Sequence, residues 1–130
     1  MKEVYEFLKK SGVFYLGTID GDKPRVRPFG ALNIFEDKLY IQTGKIKNVS
    51  KQMKINSNIE ICSFSEGKWI RIEAQAIEDN RLEAKVSMLD NNPELKTMYN
   101  AEDDNTEVLY LKNAKATIYS FTEEPKIIEF

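Results

Sequence analysis

The chain has 130 residues, with 19 Lys and Arg against 21 Asp and Glu, one cysteine and no histidine. The length predicts a single domain over residues 1–130, and the net charge of −2 argues against nucleic acid as the main partner. Without histidine and with one cysteine, the chain has no Ser-His-Asp or Cys-His nucleophile system and no zinc site built on these residues, so acid or base catalysis would fall to Asp, Glu, Lys or Tyr.

The first residues, MKEVYEFLKK, predict a short helix. Val4, Phe7 and Leu8 recur at helical spacing, and Gly12 is placed to end the helix. Charged residues interrupt this stretch where a signal peptide needs an apolar run, and no later stretch approaches the ~20 apolar residues of a membrane span. Because the single cysteine also suits a reducing compartment, we expect a soluble, cytoplasmic protein without a membrane partner.

The residues after Gly12 show the composition and alternation of β-strands. Three strands are predicted, over Val13–Ile19, Pro24–Phe35 and Leu39–Gly44. Only short turns separate them, so an antiparallel meander is expected.

The strand over Pro24–Phe35 carries two arginines in a run that otherwise resembles a buried strand. Strand periodicity places Arg25 and Arg27 on one face and Val26 on the other. The face with the arginines is therefore either solvated or in contact with an anion.

The rest of the chain alternates between helix and strand. Its predicted elements are a helix from Asn48, strands Ile59–Ser65 and Trp69–Asp79, two short helices split near Pro93, an acidic loop Glu102–Glu107 and a long strand Val108–Phe121. Leu82, Val86 and Leu89 are the expected inward side of the first short helix, and Cys62 is expected to be a core residue. Six strands joined mainly by hairpins predict a mainly β fold, a six-stranded antiparallel barrel.

Basic residues are concentrated in one part of the sequence. Between Lys23 and Lys54 there are eight Lys or Arg and two acids, a local imbalance that suits a small anionic ligand. The first turns of the second helix carry three of these lysines, which repel the helix dipole unless an anion joins them. The lysines are Lys45, Lys47 and Lys51.

These cations allow two interpretations. Each could be a solvated surface residue, as we expect for Lys54. Arg25, Arg27 and Lys47 together predict a phosphate site, because they lie on neighbouring elements and would converge only around an anion. The sequence has no G-x-G-x-x-G opening a helix and no P-loop, so neither common nucleotide fold is predicted.

Three runs resemble a known family: FYLGTIDGDKPRVRPFG, LYIQTGKIKNVSKQMKINSNIEICSF and GKWIRIEAQAI. They are similar to the pyridoxamine 5′-phosphate oxidase-like family of FMN-binding split barrels. The similarity covers roughly the first 80 residues in register, and the rest of the chain only in general layout. It implies a Greek-key-like split barrel flanked by short helices, and a homodimer with one FMN in each of two clefts between the subunits.

The resemblance also implies a place for individual residues around FMN. Arg25 would reach the phosphate, and the backbone of Val26 to Pro28 would pass the ring, with Arg27 near the pyrimidine end. The other residues implied at the cofactor are Gln42, Thr43 and Gly44 beside the ring and Lys47, Asn48 and Lys51 at the phosphate.

Trp69 and Arg71 are candidates for contact with the flavin from the partner subunit. The alternative for Trp69, the sole tryptophan, is a place in the core or the dimer interface.

The chain departs from the true oxidases, which are longer and carry a histidine and a C-terminal Trp- and Arg-bearing segment for the pyridoxal substrate. This chain ends KIIEF and has no histidine, so pyridoxamine phosphate oxidation is not expected.

Three functions remain open at this stage. The first is an FMN-dependent oxidoreductase that passes electrons from NADH, NADPH or another donor to a small acceptor, similar to flavoproteins that reduce nitro compounds. The second is a flavin carrier or store without turnover. The third is a haem-binding split barrel or a dimeric interaction domain, although no axial histidine is present.

Overall fold

The computed structural model describes all residues from 1 to 130. Its helices are α1 (Lys2–Ser11), α2 (Asn48–Ile55), α3 (Leu82–Asn91) and a 3₁₀ helix (Pro93–Thr97). Gly12 ends α1 as predicted, with φ at 81°, a left-handed conformation that glycine adopts without a side-chain clash. None of these helices has the length and apolar character needed to cross a membrane.

Eight strands make up most of the fold, two more than predicted. They are β1 (Phe14–Asp20), β2 (Lys23–Phe29), β3 (Leu32–Phe35), β4 (Lys38–Gly44), β5 (Asn58–Ser65), β6 (Lys68–Glu78), β7 (Thr106–Ser120) and β8 (Lys126–Glu129). One additional strand is β8, formed by the C-terminal tail, and the other comes from the division of the predicted second strand.

All eight strands belong to one sheet, in which every pairing is antiparallel. The strand order is β2-β1-β5-β6-β7-β4-β3, and β8 pairs with the second half of β7. The two ends of this path, β2 and β3, are not paired with each other, so the sheet is not closed. The predicted mainly β, antiparallel fold is confirmed.

The predicted meander of three strands is wrong, because the run Pro24–Phe35 divides at Gly30 and Ala31. The first part, β2, pairs with β1, whereas the second part, β3, pairs with β4 at the opposite end of the sheet. Gly30 and Ala31 leave strand conformation where the chain crosses from one end of the sheet to the other.

The main core lies between one side of the sheet, called the inner side here, and the helices α1 and α2. It consists of 19 apolar side chains from both helices and from the inward-facing positions of the strands, among them Val4, Leu8, Phe14, Leu16, Ile41, Val49, Met53, Ile61, Ile70, Ile72 and Ala116. Alternation along β1 places Phe14, Leu16 and Thr18 inward. This packing fixes α2 across the inner side of β1 and β4.

A second, smaller core lies under α3, where Tyr40 and Val108 pack against Ala84 and Met88. The inward side of α3 is Ala84, Lys85, Met88 and Leu89. The prediction was therefore right for Leu89 and wrong for Leu82 and Val86, which are exposed. The small Ala84 lets the helix approach the bulky Tyr40, which rotates Leu82 and Val86 outward.

The opposite side of the sheet is called the outer face here and carries Tyr15, Val26, Cys62, Phe64 and Trp69. Cys62 is exposed, so its predicted place in the core is wrong. Ile61 takes the inward position of β5, and strand alternation then turns Cys62 outward.

Candidate functional site

A cationic cleft of about 740 Å³ opens between β2 and α2. The charged residues that line it are Arg25, Arg27, Lys47, Lys51 and Asp20. Four positive charges and one negative charge give the cleft a formal charge of +3. Val26 and Asn48 also line it. The structure therefore brings together the residues that were predicted around a phosphate, with the exception of Lys45, which lies outside the cleft and pairs with Glu78 and Asp104 instead.

The arginines reach this cleft because β2 follows β1 in register. Arg25 and Arg27 lie opposite Thr18 and Leu16, which face inward, so the two arginines also point to the side on which α2 lies. Val26 points to the outer face and is 68% exposed. The face with the arginines is thus the one that lines the cleft.

Arg27 connects three elements of the site. Its Nη1 donates to Thr18 Oγ1 at 2.6 Å, and its Nη2 donates to Gln52 Oε1 at 2.8 Å. The hydroxyl of Thr18 donates to the same Gln52 oxygen at 2.6 Å. Burial and the nearby charge of Arg25 lower the pKa of Arg27. Arg27 therefore holds α2 against β1 and contributes positive charge from the wall of the cleft.

The other three cations of the cleft, Arg25, Lys47 and Lys51, are more exposed to solvent than Arg27. Arg25 Nε donates to Asp20 Oδ2 at 3.0 Å, an ion pair at the surface. Lys47 and Lys51 form no ion pair with any acid of the chain. Lys47 is the N-cap of α2, which has no side-chain cap and no acid in its first turn. The positive end of this helix thus adds to the charge of the lysines.

A second cleft, of about 230 Å³, adjoins the first and shares Arg27, Lys47 and Val49 with it. We call it the amide cleft after Gln42, one of its lining residues. The others include Pro28 and Thr43, which were predicted at the site, and three residues that were not, Leu95, Met98 and Tyr99.

Gln42 is the least satisfied polar side chain of the site. Only 6% of it is exposed, and neither its amide nitrogen nor its amide oxygen has a hydrogen-bond partner. Burying an amide without partners costs free energy, so native proteins rarely leave one unpaired. Gln42 lines the amide cleft, but both of its polar atoms are closed to solvent, so its side chain must rotate to bring the donor and acceptor to a ligand there.

Gly44, which comes just before the turn between β4 and α2, was predicted beside the ring with Gln42 and Thr43, but it does not line either cleft. A Cβ at Gly44 would lie 3.1 Å from the side-chain nitrogen of Asn105 and 3.1 Å from the hydroxyl of Tyr99. Asn105 and Tyr99 belong to a segment in which the sequence showed only an acidic loop and a short helix.

Trp69 and Arg71 lie away from both clefts of their own chain. Trp69 stacks on Tyr119 with ring centroids 5.4 Å apart, and Arg71 pairs with Glu60 at 2.9 Å. Both are on the side of β6 that belongs to the outer face, so within one chain they do not join the other predicted residues.

No family model and no curated protein matches the sequence, but solved structures share its fold. General Stress Protein 26 from Bacillus anthracis is 18% identical, with TM-score 0.76, over 99% of this chain and 97% of that one. A pyridoxamine 5′-phosphate oxidase-related, FMN binding protein from Nostoc punctiforme is 13% identical, with TM-score 0.67, over 99% and 95%. The fold is thus that of the pyridoxamine 5′-phosphate oxidase-like proteins.

A more similar structure is that of a NimC/NimA family protein from Clostridium acetobutylicum. It is 43% identical, with TM-score 0.98, and the match covers 100% of this chain and 92% of that one. The chain therefore belongs to the NimC/NimA family, and it has the fold of the pyridoxamine 5′-phosphate oxidase-like proteins. The resemblance that the sequence showed is confirmed.

Proposed function

We propose that the cationic and amide clefts together bind FMN and that the protein is an FMN-dependent oxidoreductase acting on a small molecule. The observation that carries this proposal is that a cleft of formal charge +3 adjoins a cleft lined by a buried amide without partners. A phosphate suits the first cleft, and the polar edge of a flavin ring suits the second. The name of the relative from Nostoc punctiforme, an FMN binding protein, supports the same cofactor.

The phosphate would be held at the start of α2. Lys47, Lys51 and Arg25 supply positive charge, and the first backbone N–H groups of the helix, at Asn48 and Val49, have no partner within the helix. Hydrogen bonds between charged partners are about twice as strong as neutral ones. These residues would orient the phosphate and so fix the position of the ring.

The ring would lie against Pro28, Gln42 and Thr43, with Arg27 as a further donor at its polar edge. The amide of Gln42 offers one donor group and one acceptor, which matches a pyrimidine edge that presents both. When bound, FMN supplies the electron-transfer chemistry, and the protein supplies position, polarity and shelter from water. No protein nucleophile is needed, which fits a chain without histidine.

We also propose that two copies of the chain associate through the outer face. Exposed apolar side chains are concentrated there: Tyr15 is 50% exposed, Val26 68% and Phe64 62%. Such a patch on a small protein indicates an interaction site. A second copy would cover it and would bring Trp69 and Arg71 near the partner's clefts, the place that the sequence resemblance implied for them.

The visible absorption spectrum of freshly purified protein tests the cofactor. A flavin spectrum supports the proposal, whereas a haem spectrum or an uncoloured protein that does not take up added FMN contradicts it. Anaerobic mixing with NADH and NADPH then tests turnover. Bleaching of the flavin band supports an oxidoreductase that uses a nicotinamide donor. A band that only dithionite bleaches would favour a flavin carrier.

A further inference from the structure

We propose that Asn105 is a positioning residue that holds the turn between β4 and α2 in the conformation needed to bind a phosphate. The inference rests on the proposed function, because the ligand concerned is the FMN phosphate. It concerns a residue outside both clefts, in the loop that precedes β7.

Asn105 binds two consecutive backbone N–H groups of the turn. Its carbonyl oxygen accepts from the N–H of Lys45 at 2.8 Å, and its side-chain Oδ1 accepts from the N–H of Ile46 at 3.2 Å. The N–H of Lys47 then donates to the carbonyl oxygen of Gly44 at 3.0 Å, and α2 begins at the next residue. One residue thus fixes the backbone immediately before the helix start.

Asn105 is itself held by Asp103. Asp103 Oδ1 accepts from the backbone N–H of Asn105 at 2.9 Å and of Thr106 at 2.8 Å, and its Oδ2 accepts from the N–H of Asn100 at 3.1 Å. Burial disfavours the carboxylate, but these hydrogen bonds outweigh the effect and lower the pKa of Asp103 to about 2. Asp103 therefore stays a carboxylate that can accept these hydrogen bonds over the physiological pH range.

Gly44 provides the space that this arrangement needs. A Cβ at that position would be 3.1 Å from Asn105 Nδ2 and 3.1 Å from the Tyr99 hydroxyl, tighter than most Cβ contacts. A side chain at position 44 would therefore displace Asn105 or Tyr99 by a few tenths of an ångström, and the turn that Asn105 holds would be disturbed with it.

A displaced turn would affect the two halves of the cofactor differently. The phosphate is held by Lys47 and by N–H groups at the start of α2, all of which follow the turn, whereas Gln42 and Pro28 lie on strands β4 and β2. Loss of the Asn105 side chain should therefore weaken binding of FMN and leave binding of riboflavin, which lacks the phosphate, almost unchanged.

The test is a fluorescence titration of FMN and of riboflavin with the full chain and its variants. Asn105→Ala is expected to weaken FMN binding by about tenfold and to change riboflavin binding by less than about twofold. Gly44→Ala, which crowds Asn105 without removing it, should reduce the preference for FMN in the same direction. The second variant keeps the test decisive if Asn105→Ala does not fold.

Asn100→Ala is the matched control. Asn100 lies in the same loop, and its Oδ1 accepts one backbone N–H, that of Glu102 at 2.9 Å, but it does not contact the turn. It should retain the wild-type preference for FMN. The positioning role would be overturned if Asn105→Ala and Gly44→Ala both kept the wild-type preference for FMN over riboflavin, or if Asn100→Ala lost as much of that preference. Either result would leave the proposed phosphate site in place. A wild-type protein that binds FMN no better than riboflavin would instead overturn the proposed phosphate site, and this role with it.

Discussion

The hydroxyl of Tyr40 donates a 2.7 Å hydrogen bond to Oδ2 of Asp79 in the interior, beneath α3. Arg81 binds the same carboxylate, because its Nη2 donates to Asp79 Oδ2 at 2.9 Å. The same nitrogen also donates to Glu36. Hydrogen bonds from Arg81, together with the one from Tyr40, outweigh burial and lower the pKa of Asp79 from 3.8 to about 2. Burial and the bond to Asp79 raise the pKa of Tyr40 to about 12.

Asp79→Asn should destabilise the protein by about 2 kcal/mol at pH 7. The lowered pKa means that the carboxylate stabilises the folded state above pH 3.8 and that this contribution is lost as the pH falls toward 2. The difference from wild type in the free energy of unfolding should therefore shrink in acid. Urea unfolding at pH 7 and pH 3 measures it. Asp90→Asn, in an exposed ion pair with Lys96, is the control and should cost well under 1 kcal/mol.

Lys47→Ala should weaken binding of FMN by about tenfold or more and leave riboflavin nearly unaffected, because one charge-assisted bond to the phosphate is lost. Arg25→Ala should do the same. Lys54→Ala removes a lysine from the last turn of α2 and should change neither affinity. The measurement is a fluorescence titration with both flavins. Equal affinities of wild type for FMN and riboflavin would mean that these cations are only surface residues.

Glu107→Gln should make stability less sensitive to pH. Burial, reinforced by the nearby Glu78, raises the pKa of Glu107 above its ordinary value of 4.5, although Ser50 and Lys54 oppose the shift. The folded state then binds the proton more tightly than the unfolded chain, so this group favours folding in acid and loses that contribution as the pH rises above 4.5. Measured by urea unfolding, the free energy of unfolding of Glu107→Gln should therefore rise relative to that of wild type between pH 4 and pH 8.

A control for Glu107 is available in the loop before it. Glu102 is exposed, and Glu102→Gln should leave the pH profile of unfolding as it is in wild type. If the stability difference between Glu107→Gln and wild type were the same at pH 4 and pH 8, the buried carboxylate would have no special part in the pH response.

Phe64→Lys should shift the protein from dimer to monomer, since it places a charge among the exposed apolar side chains of the outer face. Leu82→Lys is the matched control, because Leu82 is 50% exposed but lies on α3 and not on a strand of the outer face. Light scattering at micromolar concentration should give a dimer mass for wild type and the control. A monomer mass for wild type with flavin bound would rule out the dimer.

The elements of the site were predictable where local spacing determines them. Period-two alternation placed Arg25 and Arg27 on one face, and the lysines at the start of α2 were visible because a helix begins there without an acid. The same rule could have corrected the prediction that Cys62 lies in the core, because Ile59 and Ile61 mark the inward positions of β5.

The rest depended on contacts between distant parts of the chain. Nothing near Gly30 specifies that β2 and β3 should lie at opposite ends of the sheet, since each strand selects its partner through long-range pairing. The wall formed by Leu95, Met98 and Tyr99 follows from the way α3 packs on Tyr40. The unpaired state of Gln42 is likewise a property of its surroundings and not of the residue type.

The prolines of β2 limit the ways in which the protein can associate. β2 is an end strand of the sheet, and Pro24 and Pro28 lack the N–H that an added strand would need. Because the two prolines are four residues apart, both missing N–H groups fall on the same side of the strand. The prolines therefore block strand addition at this edge, which is the first step in the growth of many fibrils. The double variant Pro24→Thr, Pro28→Thr should show more thioflavin-positive aggregation than wild type on prolonged incubation.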